Sequence, residues 1–225
     1  LCLNFNFSPG KPSYLLGVLN VYGHFSANPN AYLTNARFIF RGTLPADYTN
    51  ADAVSVGQIE IYKDTSDSWL RLLSNLKCSG GIGVRRGMFY TNGKNVVTTY
   101  LSRLSSDGVR INVANSVITL SDSLNLSDIQ EFIATNSTII FTGSNKYLRG
   151  FGQTFYNIEA RNSLKITGSN TFNDIKLTTG KTLTVEAGST QAITSLTGDG
   201  TKAQPITLKS SSVGSTFTIS KASGT

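Results

Sequence analysis

The stretch Thr142-Gly143-Ser144-Asn145 occurs a second time, letter for letter, as Thr167-Gly168-Ser169-Asn170, 25 residues further along the chain. Each copy follows a short apolar run with the alternation of a β-strand and leads towards a Thr-Phe pair. Gly and Asn tolerate the left-handed backbone that tight corners require. A strand and its turn used twice predict a β-solenoid with about one coil per repeat.

Two further matches extend the repeat at shorter offsets. The segment 154–158 matches 171–175 at an offset of 17 residues, and 164–166 matches 183–185 at an offset of 19. Such drift is typical of strands of fixed length joined by turns of variable length. Apolar residues at alternate positions, as at Leu183 and Val185, point to one face of a strand, while the Thr, Ser and Lys between them face water.

The first part of the chain has strand-like runs without a clear repeat. Segments 36–42 and 58–62 both read as strands, and several short strands at modest spacing predict an all-β solenoid or sandwich. We therefore divide the chain into an N-terminal β-rich region, 1–87, of irregular coils or a small β-domain, and a β-solenoid region, 88–225. We expect the second region to continue beyond residue 225, as part of a longer polypeptide.

The composition favours a rod with a polar, weakly charged surface. Only 15% of the 225 residues are charged, against about 25% in an average globular protein. The net charge is +7, but the basic residues are spread along the chain and Arg85-Arg86 is their one adjacent pair. Nucleic-acid binding usually needs a basic cluster, so we do not expect it. A mild attraction to anionic glycans or to phosphate-bearing lipopolysaccharide is at least as consistent with this charge.

Several functions are not favoured by the residues present. No apolar run reaches about 18 residues, so no transmembrane helix and no membrane insertion are expected. His24 is the single histidine, and it reads as a strand or turn residue rather than a catalytic base. Cys2 and Cys78 are too few for a disulfide framework; two buried reduced thiols are favoured over one bridge. No metal and no cofactor are expected.

Two other stretches suggest chemistry but have simpler interpretations. The glycine-rich segment 80–87 lacks the Gly-Lys-Ser/Thr ending of a phosphate-binding loop, so we interpret it as a turn between strands. Asp64 and Asp67, near Trp69, could form the carboxylate pair of a glycosidase, which needs a separation of roughly 5–10 Å. The favoured alternative is that the aspartates cap a solvated turn and that Trp69 lies in the core.

The clearest binding candidate is the segment 146–153. Relative to the second copy of the repeat, the first copy has eight more residues here, and insertions in repeat proteins map to loops that often bind partners. We predict that this loop binds a glycan or contacts a neighbouring chain through Lys146, Tyr147, Arg149 and Phe151. The alternative is that Tyr147, Leu148 and Phe151 form one more buried strand.

The chain resembles a recurrent β-solenoid module found in bacteriophage tail fibres, in other phage tail structural proteins and in some bacterial surface proteins. The resemblance extends from about Met88 to Thr225 and is carried by the segments 137–144, 153–158, 166–175, 183–190, 200–211 and 218–225. It implies a right-handed parallel β-helix-like rod, elongated and often one chain of a trimeric fibre. It transfers no catalytic residue.

The expected function follows from that resemblance. It implies a non-enzymatic structural component of a bacteriophage virion, in a tail fibre or tail appendage involved in host attachment. The expected partners are further copies of the chain in a homotrimer, other virion tail proteins and a host surface glycan. A tailspike-like polysaccharide-degrading enzyme, an extracellular or bacterial cell-surface adhesin, and a collar or capsid decoration protein remain as alternatives.

Overall fold

The computed structural model describes residues 4–51, 54–105 and 108–221. Within these ranges the chain forms β-strands and no helix, and the paired strands run parallel. The strands are β1 (Phe5–Phe7), β2 (Ser13–Tyr14), β3 (Gly17–Val21), β4 (Phe25–Ala27), β5 (Ala31–Phe40), β6 (Ala46–Asn50), β7 (Ser55–Tyr62), β8 (Trp69–Leu72), β9 (Leu76–Cys78), β10 (Ile82–Tyr90), β11 (Val96–Thr98), β12 (Leu101–Arg103), β13 (Val109–Asn112), β14 (Val117–Leu120), β15 (Leu124–Asn125), β16 (Glu131–Ile133), β17 (Thr138–Phe141), β18 (Lys146–Arg149), β19 (Thr154–Ala160), β20 (Leu164–Thr167), β21 (Asn170–Leu177), β22 (Thr182–Val185), β23 (Thr190–Gly198), β24 (Thr207–Ser210) and β25 (Thr218–Lys221).

These strands stack in three columns, the three faces of a β-solenoid of about 10 turns. The first face holds β1, β4, β6, β8, the end of β10, β13, β16, the starts of β19, β21 and β23, and β25. The second face holds β2, the starts of β5 and β7, β9, β11, β14, β17 and the ends of β19, β21 and β23. The third face holds β3, the ends of β5 and β7, the start of β10, then β12, β15, β18, β20, β22 and β24. At about 4.8 Å per coil the rod is roughly 50 Å long.

The core is built from ladders of apolar side chains that repeat at the same register in each coil. On the third face one ladder of buried residues runs Phe38, Ile59, Ile82, Leu101, Leu124, Leu148, Ile166 and Val185. On the first face the rings of Phe132, Phe155 and Phe172 follow one another at centroid distances of 5.2 and 5.1 Å. Burying each such side chain contributes about 1.5–3 kcal/mol, which explains the alternation seen in the sequence.

The structure confirms the shorter repeat offsets and corrects the longest one. Thr154 pairs with Thr171 and Leu164 with Leu183, as the offsets of 17 and 19 predict. The two Thr-Gly-Ser-Asn copies do not stack, because Thr167 pairs with Arg149. The first copy follows β17 on the second face, whereas the second follows β20 on the third face. Identical letters therefore occupy two different corners of the coil.

The two copies also differ in conformation. At Gly143 a Cβ would overlap the backbone oxygen of Ser121 in the coil below, so close approach requires the glycine. Gly168 has a φ of 76°, in the left-handed region. Asn145 is left-handed at φ 54°, whereas Asn170 begins β21 and is buried. Both copies form corners, but the corresponding residues differ in backbone conformation and in burial.

The boundary predicted at residues 87 and 88 falls inside β10. This strand pairs with β7 and β12 on the third face and with β8 and β13 on the first. Strands before residue 87 stack in the same parallel manner as those after it. The division into two regions and the right-handed winding stay predictions. Among the described residues, no helix has the length and apolar character to cross a bilayer.

Candidate functional site

Three surface grooves lie in a row along the outside of the third face. Their volumes are about 450, 310 and 220 Å³, and we call them the lower, middle and upper grooves. The lower groove is lined by Arg37, Ile39, Arg41, Glu60, Tyr62, Arg85, Arg86 and Ser105. The middle groove is lined by Tyr100, Ser102, Leu104, Ser123, Asn125, Tyr147 and Arg149. The upper groove is lined by Asn145, Tyr147, Ser163, Leu164, Lys165, Thr182, Thr184 and Lys209.

The linings are rich in positive charge. Seven lysine and arginine side chains but one carboxylate, Glu60, line the three grooves, a balance of +6 against +7 for the whole chain. The sequence shows these cations as scattered. Stacking brings them together, because outward positions of successive coils lie about 4.8 Å apart.

The lower groove is organised around Glu60. This residue faces outward from β7, yet its side chain is only 3% exposed, because Arg37 and Arg85 from the neighbouring coils cover it. Both guanidinium groups donate hydrogen bonds to its carboxylate. Burial alone would raise the pKa of Glu60, but the hydrogen bonds and the positive charges of the two arginines together outweigh it and hold the pKa below its ordinary value. The carboxylate thereby orients both arginines across the groove.

Two side chains that line the middle groove, Tyr100 and Leu104, lie against glycines of the preceding coil. A Cβ at Gly81 would overlap the ring of Tyr100, and a Cβ at Gly83 would overlap the side chain of Leu104. The Tyr100 hydroxyl also accepts a hydrogen bond of 2.9 Å from the Gln58 side-chain amide. The glycine-rich segment thus forms a turn only up to Gly81, and Gly83 lies within β10. Close packing by the next coil explains these glycines.

The middle groove contains two of the predicted binding residues. Tyr147 is 40% exposed, and the Arg149 guanidinium lies 5.5 Å from the centroid of its ring. The Lys165 ammonium, one coil further, lies 5.9 Å from the same centroid. Such cation–π contacts stabilise the ring in a defined orientation. The groove therefore offers an aromatic ring and a guanidinium group to solvent.

The segment 146–153 is not an inserted loop, and that prediction was wrong. Residues Lys146–Arg149 form β18, which pairs with β15 below and β20 above, and Leu148 is fully buried in the third-face ladder. The comparison of the two Thr-Gly-Ser-Asn copies created the apparent insertion, because those copies are not equivalent. The alternative was partly right: Leu148 is buried in a strand, whereas Tyr147 and Phe151 are both exposed.

The four predicted binding residues do not form one cluster. Tyr147 and Arg149 line the middle groove, whereas Lys146 and Phe151 do not. Lys146 forms an ion pair of 3.1 Å with Asp122. Phe151 lies in the following turn with a φ of 51°. Binding by any of the four stays a prediction.

His24 occupies a turn, as predicted. Its Nδ1 accepts a hydrogen bond of 3.1 Å from the Asp47 amide and lies 3.3 Å from the Asp47 carboxylate. The backbone amide of His24 donates to the Asn4 side chain. These contacts place the ring beside the backbone of the next coil, where it acts as a turn residue.

The aspartate pair also occupies a turn. The Asp67 carboxylate is exposed and lies 3.1 Å from the Arg110 guanidinium. Trp69, on β8, is half-buried rather than in the core.

Cys78 is a free, buried thiol whose pKa burial raises to about 11, and Cys2 lies outside the described residues. In the described part of the chain, no three His, Cys, Asp or Glu residues group as metal ligands.

A buried lysine supports the corner beside the lower groove. Lys63 is fully buried, and its ammonium donates to the carbonyls of Arg41 and Leu44 at 3.0 and 2.9 Å. Burial lowers the pKa of Lys63 to about 8. Arg41, held at this corner, lies 4.9 Å from the centroid of the Tyr62 ring. Lys63 is therefore part of the scaffold rather than of the surface.

The sequence missed most residues of the lower groove. The alternation of Glu60 and Tyr62 with Ile59 and Ile61 indicates their outward position. Nothing in the sequence indicates that Arg37 and Arg85 lie in the coils on either side of Glu60. Comparisons with protein-family models, with curated proteins and with solved structures find no match for this chain.

Proposed function

We propose that this protein is a structural rod of a bacteriophage virion, part of a tail fibre or tail appendage involved in host attachment. The observation that carries the proposal is the parallel stacking of about 10 turns around one apolar core. On the second and third faces each interior strand pairs with strands of the coils on both sides, so the stack resists bending. Stiffness and length per mass suit an appendage that reaches a host cell.

The surface supports the same proposal. Side chains between the inward-facing apolar residues are mostly Thr, Ser, Asn and Lys, as in β22 and β24. The first coils carry an exposed apolar group of Tyr14, Leu16, Val18 and Tyr32, with side chains between 46% and 72% exposed. Apolar surface of this kind is typical of a contact with another chain. In the proposed fibre it would face a second and a third copy.

We propose a non-enzymatic role for the grooves. Glycoside hydrolysis uses two carboxyl groups that flank the bond to be cleaved. Of the described residues that line the three grooves, Glu60 is the one carboxylate, and it is engaged by two guanidinium groups. A groove of this composition favours binding over hydrolysis.

Cryo-electron microscopy of the particle that carries the protein would test the proposal. Three copies wound along a tail appendage are expected. A single rod on a cell envelope, or a subunit on the capsid shell, would contradict the assignment and favour an adhesin or a decoration protein. Sedimentation equilibrium of the purified chain gives an independent check, with a trimer as the expected state.

A further inference from the structure

We propose that the third face is the receptor-binding surface of the rod and that it binds a linear anionic polysaccharide along the lower, middle and upper grooves. The inference rests on the proposed function, because an attachment rod needs a surface that contacts the host. Beyond the proposed function, it locates that surface on the third face and assigns the chemical class of the ligand. Shape, chemistry and charge density each point to it.

The shape of the face suits a polymer rather than a small molecule. The grooves follow one another along the rod axis, and Tyr147 lines both the middle and the upper groove. From Arg37 on β5 to Lys209 on β24 the face covers eight coil steps, or about 40 Å at the spacing of parallel strands. An extended chain that crosses successive coils could contact all three grooves at once.

The chemistry of the middle groove suits a sugar polymer. Tyr100 and Tyr147 offer aromatic rings, and Ser102, Ser123 and Asn125 offer hydroxyl and amide groups between them. Aromatic rings pack against apolar faces of a ligand, while hydroxyl and amide groups exchange hydrogen bonds with its hydroxyls. Arg149 supplies a planar fork of donors that fits a carboxylate in two parallel hydrogen bonds.

The density of charge favours a polysaccharide over a nucleic acid. A nucleic acid carries a phosphate at every nucleotide, and its binding depends on many such contacts. The middle groove has one cation, Arg149, among uncharged polar groups. In the lower groove, Glu60 neutralises part of the charge of Arg37 and Arg85. A ligand with sparse charges and many hydroxyls matches this distribution better.

Isothermal titration of the full chain with octagalacturonate, which carries a carboxylate on every ring, would test the inference. A neutral glucose octamer, a heparin octasaccharide and an octameric single-stranded DNA serve as comparison ligands. Octagalacturonate is expected to bind, with an affinity that falls as salt is raised, and the neutral octamer is not. Tighter binding of the sulfated octasaccharide through the same residues also supports the proposal and identifies the anion as sulfate.

Two variants locate the site. Arg149→Ala should weaken octagalacturonate binding by about tenfold or more, because it removes charge-assisted hydrogen bonds. Arg161→Ala makes the same change in net charge at an exposed arginine that lines none of the three grooves, and it should leave the affinity unchanged. Circular dichroism should show that both variants keep the wild-type fold, since both side chains are exposed.

Three outcomes would overturn the inference. Equal losses in Arg149→Ala and Arg161→Ala would mean that only net charge matters. Preferential binding of the DNA octamer would assign the face to nucleic acid. A failure of every oligosaccharide to bind would remove the glycan assignment, whatever the location of the protein on a virion. Conversely, a rod found on a cell envelope that still binds octagalacturonate through Arg149 would contradict the phage assignment alone.

Discussion

Replacing Leu148 by alanine tests whether residues 146–149 form a stacked strand or a surface loop. Leu148 is fully buried between Leu124 below and Ile166 above, and both neighbours are in register with it. The substitution removes three carbons, which at about 0.8 kcal/mol each contribute about 2.4 kcal/mol of lost burial. The cavity adds roughly 1–2 kcal/mol, because strands paired on both sides cannot collapse into it. We therefore expect a loss of about 4 kcal/mol, close to a thousandfold in the unfolding equilibrium.

Tyr147→Ala, at the adjacent position, is the matched control. Its ring points outward and is 40% exposed, so its removal should cost about 1 kcal/mol or less. Guanidinium denaturation followed by far-ultraviolet circular dichroism measures both values. Because solenoids can unfold in parts, hydrogen exchange of amides in β15, β18 and β20 should accompany it. A cost below about 1 kcal/mol for Leu148→Ala, or a larger cost for Tyr147→Ala, would refute the stacking argument.

Three further substitutions test other parts of the structure. Gly143→Ala should destabilise the fold by about 1–3 kcal/mol in a denaturant titration, because its Cβ would overlap a backbone oxygen. Glu60→Gln should destabilise it by about 1–2 kcal/mol at neutral pH, because two partly exposed arginines lose their partner. The pKa of Glu60 is lowered by folding, so this difference from wild type should shrink as the pH falls below 4.5. The pKa of Lys63 is lowered from 10.5 to about 8, so between these values the unfolded chain binds more protons, and wild type should gain stability relative to Lys63→Met as the pH rises.

For each of these three substitutions a specific result would contradict the expectation. Gly10→Ala, where a Cβ would meet nothing within 4 Å, is the control for Gly143→Ala, and equal costs would argue against close packing at Gly143. A Glu60→Gln difference that stays constant down to acid pH would argue against the arginine clamp. A wild-type advantage over Lys63→Met that falls between pH 8 and 10.5 would show that folding raises the pKa of Lys63 instead.

The fold class could be predicted because it rests on local patterns. The alternation of Leu183 and Val185 with threonine specifies which side of a strand is buried, and a Gly or Asn between such runs specifies a corner. The offsets of 17 and 19 residues matched the true register because Phe155 and Phe172, or Leu164 and Leu183, occupy the same ladder. Ladder residues repeat because each must fill the same space in the next coil.

The candidate site was harder to predict, because it depends on which coil lies beside which. The Thr-Gly-Ser-Asn copies suggested an insertion at Lys146, but β18 is an ordinary strand of the stack. Arg37, Glu60 and Arg85 are separated by 23 and 25 residues in sequence and meet only because coils of that length stack. The same turn sequence is compatible with several local environments, so it does not specify which residues of neighbouring coils pair.

The amino-acid sequence alone therefore determines that this chain winds into β-coils with an apolar interior and a polar surface, since those properties depend on alternation and turn chemistry within a few residues. Stacking determines the course of β18, the need for glycine at Gly81 and Gly83, and the basic face around Glu60. These features arise from contacts about 20 residues apart, and the length of each corner, which varies from coil to coil, decides which side chains meet.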